Sequence, residues 1–239
     1  MRIHIIRHAN PNYETDTLTP AGRAEASALA SYLAALGINA IYASPYGRTR
    51  ETAGVIGDAL GLPVQVEQWA TELPGPFIEL FNSALLPPNP GIKAGNPSGG
   101  RPADHLRPAS PAIDPAYPLD GPLVTPTLER IASGSDEFLA RQGFRREGGA
   151  YHFERENRKQ IAVVTHMGIV LCWLAHLLRM PLAFLWAGFF VYPASVTTVL
   201  FEERAAGIAV PRCLGIGDVA YLRGAGLYPR WPGLKTNHD

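Results

Sequence analysis

Arg2-Ile-His-Ile-Ile-Arg7, Thr19-Pro20 through Gly37, Ala40-Ile-Tyr-Ala-Ser44, Pro45 through Leu60, and Val64 to Glu67 follow one another at the start of the chain, and their order decides the fold. Ile3, Ile5 and Ile6 do not alternate cleanly, which suits a central strand covered on both faces. Thr19 and Pro20 read as an N-cap and first helical residue. Ala24, Leu29, Leu33 and Leu36 recur at roughly helical spacing, and Gly37 ends the run as a C-cap. Ala40 to Ser44 reads as a second strand. Ser44-Pro45 repeats the cap-and-proline signal and opens a helix to Leu60. Gly61-Leu-Pro63 closes it before a short third strand. Strand, helix, strand, helix, strand predicts an α/β domain with a largely parallel sheet.

Outward from that stretch the pattern breaks. Pro74 to Pro126 holds 13 of the 22 prolines, a density that forbids long helices and central strands. It reads either as a surface excursion or as an insertion over an active-site mouth. Phe77 to Leu86 is the one stretch of it that suits a short helix. Regular structure resumes near Thr125, with a helix over Leu128 to Gln142 weakened by Gly134. A strand over Ala150 to Glu154, an apolar strand over Ile161 to Thr165 and a helix over Gly168 to Met180 follow. Ser195 to Glu202 and Ile208 to Leu214 read as a hairpin at the sheet edge. Arg230 to Asp239 reads as a loosely attached tail. The chain is expected to be a single domain over 1–239, with the insertion at about 74–126.

The 239 residues carry 21 Lys plus Arg against 21 Asp plus Glu. Zero net charge argues against nucleic acid or an anionic membrane as partner. Cys172 and Cys213 are isolated, so structural zinc and a disulfide scaffold are not expected and a reducing cytoplasm is. Charged residues interrupt the N-terminus too early for a signal peptide. The apolar stretch Met167 to Phe190 carries His176, Arg179 and Pro181, and reads as buried helix rather than a membrane span. The cluster Phe184, Trp186, Phe189, Phe190 and Tyr192 is expected as core or as the face of a homodimer.

Three polar clusters share one address. Arg7-His8 ends the first strand, Arg48 lies one turn past the second, and Thr165-His166 ends the late apolar strand. Ligands of open α/β sheets bind outside the carboxyl ends of the strands. Helix N-termini near Pro45 and Gly168 would add backbone N–H groups there. Arginine forks suit phosphate. A histidine held among arginines would stay neutral and nucleophilic, able to take a phosphoryl group and split one transfer into two. His4, inside the first strand, reads as a packed core residue. Arg23 and Arg50 read as solvated or paired on helix faces. His105, Asp104 and Asp114 lack ligand spacing and read as solvated loop residues.

The motifs Ile5-Ile-Arg-His8, Leu18-Thr-Pro-Ala-Gly22, Ser44-Pro-Tyr-Gly-Arg-Thr-Arg-Glu-Thr-Ala53 and Val163-Val-Thr-His-Met-Gly168 together resemble the histidine phosphatase superfamily, which includes cofactor-dependent phosphoglycerate mutases. Gly217-Asp-Val-Ala-Tyr-Leu222 resembles a C-terminal segment of that family. Thr49 and Met167 replace an alanine and a glycine of its pattern. The resemblance implies a three-layer α/β/α sandwich around a mostly parallel sheet with an antiparallel edge. It implies His8 as the phosphorylated nucleophile, with Arg7, Arg48 and His166 as the phosphate pocket. Glu72, in Thr71-Glu-Leu73 after the third strand, would be the general acid. The family's phosphate-contacting asparagine falls at Glu14, and Asn10 is the expected substitute. No cofactor or metal is implied, because arginines supply the positive charge. Ala9-Asn-Pro11 departs from the Gly-Glu-Ser that follows the nucleophile in the mutases. The expected activity is therefore metal-independent phosphomonoester hydrolysis of a phosphorylated small molecule. A mutase-like phosphotransferase and a non-catalytic phosphate-binding module are the rivals.

Overall fold

The computed structural model describes residues 1–85 and 121–229; for residues 83–85 it describes the backbone alone. Ten strands and seven helices are present among them: β1 Arg2–Arg7, β2 Pro11–Asn12, β3 Thr17–Leu18, α1 Pro20–Leu36, β4 Ala40–Ala43, α2 Gly47–Leu60, β5 Val64–Val66, α3 Gly75–Leu85, α4 Val124–Arg141, β6 Arg145–Glu147, β7 Ala150–His152, β8 Gln160–Thr165, α5 Met167–Leu178, α6 Leu182–Gly188, β9 Val196–Ala205, β10 Ile208–Asp218 and α7 Ala220–Gly224. Eight strands form one sheet in the order β5-β4-β8-β1-β9-β10-β7-β6, and β2 and β3 form a separate two-stranded ribbon. β5, β4, β8 and β1 are parallel neighbours, and β9, β10, β7 and β6 continue antiparallel. Only β9 and β7 run against the common direction, so the sheet is mostly parallel.

β1 is sandwiched as its three isoleucines suggest. Ile3 and Ile5 join Ile161 and Val163 of β8 in one core, with α3, α4, α5 and α6. Ile6 joins Ala162 and Val164 in the other, with α1 and α2. Period-two alternation thus feeds two cores and makes three layers. The Thr19 side chain accepts from the Gly22 N–H at 3.0 Å to cap α1, and Gly37 ends it in the left-handed region at φ 71°. Gly22 has a second duty. A Cβ there would sit 2.1 Å from the Asn10 carbonyl oxygen, so only glycine lets α1 back the loop that follows His8.

Several sequence expectations are corrected. The β9–β10 hairpin lies inside the sheet, and β6 forms that edge. The α1 stripe buries Ala26 rather than Ala24. α2 starts at Gly47, not at Pro45. The helix after β8 runs from Met167 to Leu178 and ends with Arg179 in the left-handed region. The short helix expected over Phe77 to Leu86 is present as α3, Gly75–Leu85, where Phe77 stacks on Phe81, both against Trp186. Pro126 falls at the third position of α4, in the turn where an N–H has no intrahelical acceptor, so it does not break the helix. The rest of the insertion, with Asp104, His105 and Asp114, and the tail from Arg230 lie outside the described residues. Among the described residues no helix is long and apolar enough to cross a membrane.

Candidate active site

Parallel register places the carboxyl ends of β1, β4 and β8 together: Arg7 is opposite Thr165, and Ala43 is opposite Val164. Past those ends stand His8, Ser44 and His166. The backbone of His8 is fixed on both sides. Its N–H donates to Thr165 O at 2.9 Å, and its carbonyl accepts from Ala194 N at 3.2 Å. The imidazole Nδ1 lies 2.9 Å from Ala9 O. A carbonyl only accepts, so Nδ1 carries the proton and Nε2 keeps its lone pair. Arg48 Nε donates to that Nε2 at 3.3 Å.

Burial is the main reason His8 stays neutral, with Arg7 and Arg48 adding to it; its pKa is pushed down to about 3. Desolvation, more than the neighbouring arginines, sets the shift. His166 is depressed for the same reason, with His8, Arg48 and Arg7 contributing. Its Nε2 lies 2.8 Å from Ser44 Oγ, and its Nδ1 lies 3.1 Å from Arg48 Nη2 and 3.2 Å from Glu72 Oε2. The two imidazoles meet edge-on, with centroids 5.4 Å apart.

The arginines differ in what holds them. Arg7 Nη1 donates to Val191 O at 2.6 Å and to Met167 Sδ at 3.7 Å, which gives Met167 a role in the position where the motif pattern has glycine. Its Nε is the one buried side-chain polar atom among the described residues with no hydrogen-bond partner. Arg48 is engaged all round: by Asp16 Oδ1 at 2.6 Å, Glu72 Oε2 at 3.6 Å, His166 and His8. Its guanidinium carbon lies 4.6 Å from the Tyr46 ring centroid and 5.5 Å from that of Tyr13.

Glu72 lies beyond β5, after a 3-10 turn over Gln68–Ala70. Burial raises its carboxyl, although the Leu73 N–H, Arg48 and Arg7 pull the other way. A raised carboxyl facing the cluster keeps its proton to higher pH than an ordinary glutamate, the direction a general acid needs.

Arg7, His8, Arg48, Glu72 and His166 are thus brought together as expected. Asn10 is not: its backbone N–H donates to Glu25 Oε2 at 2.8 Å, and its side-chain oxygen accepts from Thr19 at 3.3 Å. The loop turns that side chain toward the start of α1. Glu14 is exposed on the ribbon loop. His4 is the packed residue foreseen, bonded to Gln160 and Thr198. Arg23 pairs with Glu51 at 2.7 Å, and Arg50 is exposed. The aromatic cluster divides: Trp186 is core, while Phe184 and Phe189 are exposed and Phe190 faces Arg7.

Asp16 is the residue that sequence reading missed. Its carboxylate accepts from Gly47 N at 2.6 Å and Arg48 N at 3.5 Å, besides pairing with the Arg48 side chain. Burial works to raise it, but Gly47 and Arg48 outweigh that and hold it below the usual range. It therefore caps α2 from outside the chain segment. Ser44 Oγ meets His166 instead of the α2 N–H groups, of which those of Gly47 and Arg48 are taken by Asp16. Thr49 replaces an alanine because its hydroxyl closes the intervening turn on Ser44 O and Tyr46 O. The one trace of Asp16 in the sequence is a glycine, Gly47, just after Ser44-Pro45, where a backbone can approach closely. A Cβ there would lie 2.2 Å from Asp16 O.

The histidine phosphatase superfamily (branch 1) model matches residues 3–74 and 139–211, and the chain belongs to that superfamily. No curated protein matches the chain. Among solved structures, mycobacterial glucosyl-3-phosphoglycerate phosphatase is similar at TM-score 0.58 and 20% identity, over 90% of this chain and 97% of the other. An Entamoeba histolytica phosphoserine phosphatase in complex with 3-phosphoglyceric acid matches at TM-score 0.58 and 18% identity, over 92% and 98%. Bacillus stearothermophilus YhfR matches at TM-score 0.57 and 21% identity, over 92% and 98%. At such identity these likenesses speak for the fold. Among the described residues no group of three or more His, Cys, Asp or Glu side chains is placed to hold a metal ion.

Proposed function

We propose that the protein hydrolyses phosphate monoesters through a phosphohistidine on His8, without a metal. The observation that carries this is the neutral His8 Nε2, its lone pair directed into a cluster where Arg48 Nε is 3.3 Å away. The buried, unpaired Arg7 Nε–H supports it, because such a donor calls for an anionic acceptor. Two permanently charged forks would hold the phosphoryl oxygens. His8 Nε2 attacks phosphorus and the bond to the leaving oxygen breaks. Glu72 gives its proton to that oxygen, and the alcohol departs. Water then attacks phospho-His8, and Glu72, now a carboxylate, takes the proton. Phosphate leaves and Nε2 regains its lone pair. Several structural neighbours are phosphatases by name, which agrees with this reading. A phosphorylated small molecule remains the proposed substrate class and the cytoplasm the proposed compartment.

The test is hydrolysis of 4-nitrophenyl phosphate in EDTA, with His8→Ala alongside and acid-labile phosphate on the protein measured. Turnover that resists EDTA, disappears in His8→Ala and leaves trapped phosphate on the wild type is the expected result. Phosphate trapped but passed only to a second alcohol would make the protein a phosphotransferase. Neither turnover nor trapping would leave a binding module.

A further inference from the structure

Glu72 has a placement problem that the histidines do not. His8 and His166 follow strands directly, so sheet register sets their positions. Glu72 is separated from β5 by the 3-10 turn, and a loop residue drifts unless something fixes its backbone. Three successive carbonyls before it are tied down. Trp69 O accepts from Arg130 Nη1, Ala70 O accepts from Thr165 Oγ1 at 3.0 Å, and Thr71 O accepts from Arg130 Nη2 at 3.2 Å. Thr165 is the residue before His166, so one bond ties the Glu72 segment to the strand that delivers His166. The other two come from a single guanidinium on α4, straddling the residue that Thr165 holds.

The fork reaches this far because α4 lies unusually close. A Cβ on Gly134, one turn beyond Arg130, would sit 2.2 Å from the Trp69 Cβ. That glycine, which weakens the helix in isolation, is what lets Arg130 reach the turn. Trp69 is anchored in turn, donating from Nε1 to Glu67 Oε2 at 2.9 Å, and Arg141 at the end of α4 pairs with Glu67 Oε1 at 2.5 Å. The α4 face presented to the turn is therefore a fastening for it.

We infer that Arg130 is a positioning residue for the general acid: its two-pronged hold on Trp69 O and Thr71 O, with Gly134 permitting the approach, sets the Glu72 carboxyl against His166 and Arg48. This rests on the proposed function, since it assigns Glu72 a proton to deliver. A lysine keeps the charge but is a point donor on a flexible stem and does not reproduce the fork.

The test compares kcat/KM for phenyl phosphate and 4-nitrophenyl phosphate, esters of nearly the same shape whose leaving groups differ in their need for a proton. kcat/KM reports steps up to formation of phospho-His8, so a slow second step does not enter. In Glu72→Gln, phenyl phosphate should suffer much the greater loss. Arg130→Met should show the same bias more weakly, about tenfold more loss on phenyl than on 4-nitrophenyl phosphate, and Arg130→Lys should resemble Arg130→Met. Circular dichroism and phosphate trapping on His8 check that the variants fold. Equal losses on both esters in Arg130→Met would make the residue merely structural and overturn the inference, as would full activity in Arg130→Lys. If Glu72→Gln shows the bias and Arg130→Met does not, the inference falls while the phosphatase reading stands. A wild type that neither turns over nor traps phosphate overturns the function, and the inference with it.

Discussion

The two sides of the site are built differently. On the strand side, His8, Ser44 and His166 follow neighbouring parallel strands. The His8 and Ser44 N–H groups donate to the Thr165 and Val164 carbonyls of β8, His166 directly follows β8, and all three are buried. On the ribbon side, Arg48 depends on Asp16, whose side chain is 39% exposed and whose backbone sits at φ 52° in the turn between β2 and β3. Tyr13, beside the same guanidinium, is 65% exposed. The strand side supplies the nucleophile in a fixed protonation state, and the ribbon side sets the geometry of the phosphate grip. The comparison predicts that strand-side changes destroy chemistry, while ribbon-side changes weaken binding.

The largest effect should come from His8→Ala. Losing the nucleophile should lower kcat on the order of a million-fold, as for other nucleophile deletions, and abolish trapped phosphate. Retained turnover above a hundredth of wild type would remove His8 from the mechanism. Next comes Asp16→Asn. It keeps a cap acceptor for Gly47 but removes the charge opposite Arg48. KM should rise about tenfold, with kcat changed less than threefold. A dominant fall in kcat would mean that the ribbon side also sets the chemistry, and the division between the two sides would fail.

Legibility in the sequence follows the same division. The strand ends were readable because a burial pattern, a turn signal and a chemical residue coincide at each: Ile5-Ile6 before Arg7-His8, and Val163-Val164 before Thr165-His166. Topology then brings them together without any further information. Asp16 was not readable because it acts across 31 positions on a helix start that already carried its own cap signal in Ser44-Pro45. A local rule was present and a tertiary contact overrode it. Asn10 failed for the opposite reason. It had the right chemistry near the nucleophile, but α1, admitted by Gly22, holds its backbone and turns its side chain to Thr19. Arg130 carried no motif at all, and only its reach across the Gly134 contact gives it meaning.

The strand side also predicts how stability depends on pH. His8 and His166 are neutral in the native protein and titrate near pH 6.5 once unfolded. The unfolded chain therefore binds more protons below pH 6.5, and stability falls as pH drops from there toward about 3. Glu72, raised by burial, works against this trend only near its own titration. The midpoint of urea unfolding should fall between pH 6.5 and 5 in the wild type, and fall less steeply in His8→Ala. Parallel slopes would mean that burial does not hold His8 below its ordinary value, and the nucleophile would lose its lone pair as pH falls through about 6.5.

The smallest effect expected is at Tyr46, which stands between the two sides. Its ring lies 4.6 Å from the Arg48 guanidinium carbon and edge-on to His166, centroids 5.2 Å apart. Its backbone carbonyl holds Thr49, so side-chain substitution leaves the turn intact. The ring is 37% exposed, and a cation–π contact at such a site is worth about 0.5–1 kcal/mol. Tyr46→Ala should then raise KM about two- to fivefold with kcat nearly unchanged, and Tyr46→Phe, which keeps the ring, should match the wild type. A kcat loss in Tyr46→Ala beyond tenfold would place the ring with the strand side, as the wall that keeps His166 dry and neutral. The pH dependence of that loss would tell which: a wall that failed would let His166 gain a proton, and the deficit would deepen as pH falls below 6.5. A ring that only steadies Arg48 gives the same modest KM effect at every pH.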